Sequence, residues 1–176
     1  VTTKATRYLA RRVAHNPQQH KLAVMIDVDE TALSNFNNIR RLYNMVENVG
    51  DRFKQTTLTS LNNTFNDPAI KPTLALYRYA IKHHVAVFFV TGRYDYDYAG
   101  TKRNLHQVGY TKYQQLILRK PNQYHLAADT YKQRVAHKIK QAGYDLVLAI
   151  GDQYSDLPHQ YADASFKVPD PFYYIA

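Results

Sequence analysis

The chain has 176 residues, 45% of them hydrophobic, enough for one folded domain with a real core and too apolar for a disordered chain. It has no Cys, which excludes disulfides, a cysteine nucleophile and thiolate zinc sites, and no apolar run near the roughly 20 residues of a membrane span. The formal net charge of +9 favours anionic partners, but Lys and Arg fall in scattered pairs (Arg11-Arg12, Arg40-Arg41, Lys102-Arg103), so a solvated basic surface is the first reading and nucleic-acid binding the second.

In chain order, residues 3–15 predict an amphipathic helix with Tyr8, Leu9 and Val13 on one face, ended by Asn16-Pro17. Leu22 to Ile26 is an apolar, largely branched run, the pattern of a strand buried on both faces of a parallel sheet. Asp27, Asp29, Glu30 and Thr31 follow at once. Residues 34–70 are rich in Asn and Thr, with a helical patch at Ile39 to Val46 and turns at Gly50-Asp51 and Asp67-Pro68. This is too long for an ordinary connection and reads as a small, mostly helical cap over the strand ends.

Pro72 opens a helix with Leu74, Tyr77, Ala80 and Ile81 on one face, stopped at His83-His84. Val85 to Val90 is a second buried strand, running into Thr91-Gly92-Arg93. Residues 95–108 read as helix with Gly109 as the stop, and Gln115 to Leu118 as a third strand ending in Arg119-Lys120-Pro121. Asp129 is expected to cap a helix reaching about Ala142, with Tyr131, Val135 and Ile139 inward and Gly143 after it. Leu146 to Ile150 is a fourth strand ending in Gly151-Asp152; residues 153–162 suggest a short helix, and Phe166 to Val168 a fifth strand. Strands alternating with helices give a parallel sheet between helical layers.

The chemistry is read at four of these junctions. Asp27 and Asp29 end a buried strand, where unpaired charge is costly and where parallel sheets bind ligands. Two residues apart, they would share one side of an extended backbone, one to attack a substrate and one to move a proton. Thr91 and the Gly92 N–H suit a phosphate oxygen. Lys132, in the first turn of its helix, opposes the helix dipole unless an anion sits beside it; the plainer alternative is a lysine reaching out to water. Asp152 and Asp156 suit a hard cation with oxygen ligands, Mg²⁺ above all. No GxxxxGK[ST] loop is present.

IDVDETALSN, FFVTGR, TYKQR and GDQYSDL, in this order, resemble the haloacid dehalogenase (HAD) superfamily of phosphohydrolases. Asp95 followed by Thr101-Lys102-Arg103-Asn104-Leu105, and the tail VPDPFYYI, are similar to its branch of class B-type acid phosphatases, bacterial lipoprotein acid phosphatases and plant vegetative storage proteins.

The resemblance implies an α/β, HAD-like Rossmannoid three-layer sandwich, with a core domain of residues 1–33 and 71–176 and a small helical cap insert at 34–70. It implies a Mg²⁺-dependent phosphomonoesterase with Asp27 as nucleophile, forming an aspartyl-phosphate. Asp29 would be general acid and base and bind Mg²⁺ through its backbone carbonyl. Thr91, Gly92 and Lys132 would hold the phosphoryl group, and Asp27, Asp152 and Asp156 would complete the metal site. Lys120 is a rival to Lys132. An Arg common in the branch is replaced near Tyr98. Phe36, Tyr43 and Phe53, with Tyr94 and Tyr96, are candidate walls for an aromatic substrate group. A small phosphorylated substrate is expected, with a nucleotide or nucleic-acid end as the near alternative and a non-catalytic storage or binding protein as the distant one. The resemblance implies export, with a cytoplasmic site left open; the chain starts at Val1, which leaves room for a removed leader.

Overall fold

The computed structural model describes residues 1–41, 65–170 and 172. Its centre is strand β1 (Lys21–Ile26), every residue of which after Lys21 is buried. Around it, β2 (Ala86–Tyr94), β3 (Gln115–Arg119), β4 (Tyr144–Gly151) and β5 (Ala164–Lys167) form one parallel sheet in the order β3-β2-β1-β4-β5. The chain builds outward from β1 through β2 to β3, then crosses to place β4 on the other side of β1. The C-terminal ends of β1 and β4 therefore flank the point where the strand order reverses, the crevice that holds ligands in open α/β sheets. Ile26 lies beside Phe89 and Ile150, so these strand ends are level.

The helices α1 (Thr2–Ala14), α2 (Lys71–Lys82), α3 (Tyr98–Gln107) and α4 (Ala128–Gln141) cover the sheet. Alternate β1 residues divide between the faces. Leu22, Val24 and Ile26 pack with Ala5 and Leu9 of α1, Leu76 and Tyr77 of α2 and Leu105 of α3. Ala23 and Met25 pack with Tyr131, Val135 and Ile139 of α4. The three-layer α/β architecture expected from the sequence is thus present. Between Ala23 and Val24 the register against β4 shifts, leaving Val147 as an extra residue; Val147 and Leu148 both join the first face.

Helix ends follow local chemistry. Gly109 (φ +105°) and Gly143 (φ +84°) follow α3 and α4 in the left-handed region that other residues avoid. Two expectations are corrected. Asp129 does not cap α4: the helix already begins at Ala128, and the carboxylate accepts from the N–H and hydroxyl of Thr130 within the first turn. Residues 153–162 hold only a single 3₁₀ turn, Tyr154–Asp156. Pro158 lacks an N–H and keeps Leu157 (φ −106°, ψ 87°) out of helical geometry.

Residues 36–41 are helical. Most of the segment read as a cap, including Tyr43, Phe53 and the Gly50-Asp51 turn, lies outside the described residues. Its two arms are zipped together where they leave the sheet: Ser34 N–H donates to Pro68 O (3.0 Å) and Ile70 N–H to Ala32 O (2.9 Å), with a bridge between Leu33 and Ala69.

Candidate active site

Asp27 is the first residue past β1, and its N–H is fixed on Ile150 O at 3.0 Å. Asp152 and Asp156 leave the end of β4, and one carboxylate oxygen from each of the three acids lies within 4.8 Å of the others. The 152–156 turn folds back so tightly that a Cβ on Gly151 would stand 2.2 Å from Asp156 Cβ, so this close approach requires glycine.

Lys132 enters from α4, only 2% exposed. Its Nζ pairs with Asp27 Oδ1, with Asp156 Oδ1 at 2.8 Å, and donates to Val90 O at 2.8 Å. The anions that offset its place near the helix start are thus carboxylates of the site, and the reading of a lysine reaching to water is overturned. Lys120 is exposed in the turn after β3, its backbone N–H on Gln123 Oε1, away from this cluster.

Charge is out of balance here. Three buried carboxylates face one ammonium among the described residues. Burial pushes the Asp27 carboxyl well above its usual range, with Asp156 adding to the effect and Lys132 opposing it. Burial also pushes Asp152 up to about 7, against the Gln153 amide and with Asp156. Burial works to lower the Lys132 ammonium, but Asp156 and Asp27 outweigh it and raise it. A dication among three carboxylates and one ammonium brings the sum to zero, and the donors are all hard oxygens. The residues therefore fit a divalent ion of the Mg²⁺ type.

Asp29 takes other partners. The chain bends at Val28, which is buried in the core, so the extended geometry expected for Asp27-x-Asp29 does not hold. Asp29 accepts from Arg93 Nε (3.1 Å to each oxygen), Arg93 Nη2 (2.7 Å), Asn35 Nδ2 (2.6 Å) and Thr91 Oγ1 (3.1 Å). Burial would raise this carboxyl, but Arg93 outweighs it and holds it below the ordinary value. Asp29 is still close enough that its charge helps raise Asp27. Its carboxylate lies outside the three-acid group, so of the four expected metal ligands only Asp27, Asp152 and Asp156 bring carboxylate oxygens together.

Thr91 is fully buried; besides donating to Asp29 it accepts the Arg93 N–H at 3.1 Å. Gly92 is exposed, with nothing within 4 Å of where a Cβ would stand, so its backbone borders open space at the end of β2. Phe36 is 45% exposed and its ring packs on Phe172 at 5.5 Å between centroids. Tyr94 is half-buried between Tyr96 (5.4 Å) and Tyr124 (4.2 Å).

Sequence reasoning named TGR but gave Arg93 no task. It also missed Asn35, Asp67, Gln153 and Asp170. Arg93 is buried and additionally donates to Thr101 Oγ1 (3.1 Å) and lies 3.7 Å from Asp67 Oδ2. Asp67 is held by Asn38 Nδ2 (2.7 Å), and its backbone N–H and C=O by the Asn104 side chain (2.8 Å each). Thr101 and Asn104, the Thr-x-x-Asn pattern of α3, therefore hold Arg93 and the returning arm at Asp67, and the outgoing arm joins them through Asn38 on Asp67 and Asn35 on Arg93.

Residues 1–176 match the family model described as HAD superfamily, subfamily IIIB (Acid phosphatase). The chain is 32% identical to the Stem 31 kDa glycoprotein of Glycine max over 99% of its own length and 66% of that protein. It is 33% identical to Acid phosphatase 1 of Solanum lycopersicum over 86% of its length and 58% of that protein. The chain thus spans less than two thirds of the length of these relatives. In fold it is similar to the class C acid phosphatase from Bacillus anthracis, with a TM-score of 0.76 over 98% of this chain and 76% of that one, at 18% identity.

Proposed function

This chain belongs to HAD subfamily IIIB, the acid phosphatase family, and from that premise we propose that it hydrolyses phosphomonoesters through an aspartyl-phosphate on Asp27. The observation that carries the reading is the buried Asp27–Lys132 pair set against Asp152 and Asp156 at the strand-order reversal. Asp27 would attack phosphorus in line and the ester oxygen would leave, Asp29 giving it a proton. Water would then cleave the aspartyl-phosphate with Asp29 accepting its proton, releasing inorganic phosphate. Lys132 opposes the protonation of Asp27 that burial favours and cancels charge as the phosphate approaches. The Gly92 N–H and the Thr91 hydroxyl would orient the phosphoryl oxygens. Mg²⁺ held by Asp27, Asp152, Asp156 and the Asp29 backbone carbonyl would supply the remaining positive charge between nucleophile and phosphate.

Arg93 favours the anionic form of Asp29, and so the second, water-activating half of its task. The division into a core, 1–33 and 71–176, and a cap, 34–70, belongs to the same proposal; the cap would set the substrate. Phe36 and Tyr94 would stack on an aromatic group, which makes a nucleotide the first natural substrate to test. Among the described residues no helix is long and apolar enough to cross a membrane. A glycoprotein among the relatives supports export for this chain, to be checked by fractionating cells that make the whole protein.

The test is hydrolysis of p-nitrophenyl phosphate before and after EDTA. Activity lost on chelation and restored by Mg²⁺ supports the reading. No hydrolysis of this ester or of a panel of phosphorylated metabolites, with Mg²⁺ present, would replace it with a storage or binding role. A nucleic-acid-end phosphatase, suggested by the net charge, requires salt-sensitive binding to oligonucleotides.

A further inference from the structure

Gln153 is almost fully buried and follows Asp152 directly. Among the described residues its backbone and side-chain nitrogens reach three carboxylates. The backbone N–H donates to Asp156 Oδ2 at 2.9 Å. The side-chain amide nitrogen donates to Asp152 Oδ2 at 2.6 Å and to Asp170 Oδ2 at 2.8 Å. One residue thus grips both carboxylates of the GDQYSD turn and a third from the chain's tail.

The tail is brought there by the sheet. Val168 N–H donates to Gly151 O at 2.9 Å just past β5, so the chain runs on beside the end of β4. Asp170 then takes the amide on one oxygen and the Phe172 N–H on the other, at 2.7 Å. Phe172 packs on Phe36, closing the tail against the 36–41 segment. An amide can present either its nitrogen or its oxygen to a neighbour, and oxygen facing Asp152 would be repulsive. With acceptors on two sides, only nitrogen toward both satisfies the group.

We propose that Gln153 is a positioning residue for the cation-binding carboxylates Asp152 and Asp156, and that Asp170 of the C-terminal tail locks its orientation. The tail then belongs to the metal site, with Asp170 outside the three-acid group and against Asp152. Partners that orient ligating groups in this way typically change metal affinity about 10–100-fold when removed. The proposal rests on the divalent-ion reading given under Proposed function.

The experiment is calorimetric titration of Mg²⁺ into the metal-free protein without substrate. Gln153→Met, which keeps the volume and removes the amide, is expected to raise Kd about 10–100-fold, and Asp170→Ala about tenfold. Asp170→Asn retains an acceptor oxygen and is expected to recover most of the affinity. Asp170 also lies directly against Asp152, so the double change separates the two routes: with the orientation of Gln153 as the route, the Gln153→Met/Asp170→Ala pair is expected to bind no worse than Gln153→Met alone. Unchanged affinity in Asp170→Ala, or additive losses in the pair, overturns the proposal while leaving the metal reading standing. A wild type that hydrolyses phosphomonoesters yet binds no divalent ion overturns both. If Gln153→Met does not fold, the tail pair Asp170→Ala and Asp170→Asn, at a half-buried position, decides the question by itself.

Discussion

Arg93 lies across Asp29 with Nε 3.1 Å from each carboxylate oxygen and Nη2 2.7 Å from Oδ1, while its Nη1 reaches Thr101. The guanidinium is buried and the Asp29 side chain is 21% exposed. Removing one member of a buried pair costs about 3–5 kcal/mol, and the partial exposure of Asp29 reduces this to about 2–3 kcal/mol. Arg93→Met should lose that much in urea unfolding of the metal-free protein. Asp29→Asn/Arg93→Met should lose less than the sum of the single changes. The pH dependence has a definite sign. Arg93 depresses the folded-state Asp29 carboxyl, so its stabilisation is present above the unfolded value near 4 and lost as pH falls below it. Arg93→Met should show a shallower acid limb, and an unchanged one would mean that Arg93 does not hold Asp29 ionised.

The two lysines that sequence alone leaves in competition are separated by burial. Lys132→Met takes the ammonium from two buried carboxylates, Asp27 and Asp156, and should abolish nearly all turnover, with a fall of about 3–5 kcal/mol in metal-free stability. Lys120→Ala, at an exposed turn, should keep kcat/KM within about twofold and stability within about 0.5 kcal/mol. The reverse ranking in steady-state assays would move the phosphate-facing cation to the other turn.

Asp27→Asn removes the attacking oxyanion and should lower kcat by at least about 10³-fold. It also removes one of three negative charges facing one ammonium. The variant should therefore melt in EDTA at or above the wild-type temperature, which separates loss of chemistry from loss of fold. Retained turnover would remove Asp27 as the nucleophile.

Gly151→Ala tests the turn. The added Cβ meets Asp156 Cβ at 2.2 Å, and backbone-adjacent atoms cannot swing away. Asp156 must move, so Mg²⁺ affinity measured by titration should fall at least tenfold even where the melting temperature drops by only a few degrees. Wild-type affinity in this variant would mean that Asp156 is not needed near the ion.

The legible part of this site is the part that violates a rule of burial. Asp27 after five apolar residues, Asp152 after another buried strand, and Lys132 against its helix dipole each cost free energy unless something pairs with them, so single residues could be picked out before any fold was known. The strands, though not their ends, and the inward faces of α2 and α4 were readable because the apolar pattern reports burial directly; β2 runs on to Tyr94, past the expected Val90. Arg93 was not readable: one arginine among the chain's basic residues looks like surface charge until the fold buries it against Asp29, Asn35 and Asp67. Asp170 and Gln153 were hidden for another reason, since their contact spans 17 residues and exists only because β5 returns the tail to β4. The helix expected over 153–162 is cut short by Pro158, which holds Leu157 out of helical geometry.

The last prediction concerns metal and pH together. In the ion-free protein Asp27, Glu30 and Asp152 all have carboxyls raised by burial, Glu30 and Asp152 to about 7. A carboxyl with a folded value above its unfolded one stabilises fully below the unfolded value and loses that contribution as pH rises through the folded one. Between about pH 4 and pH 7 these groups therefore work against the fold as they ionise, in the opposite sense to Asp29 at lower pH. In EDTA the melting temperature should fall across this window. A divalent ion binds the ionised carboxylates, so the increment that Mg²⁺ adds should grow from pH 5 to pH 7. Glu30→Gln lies outside the three-acid group and should flatten part of the EDTA curve while leaving Mg²⁺ stabilisation in place. A melting temperature in EDTA that rises steadily from pH 5 to pH 7 would show that these carboxyls are not held neutral, and the charge imbalance that calls for a cation would lose its support.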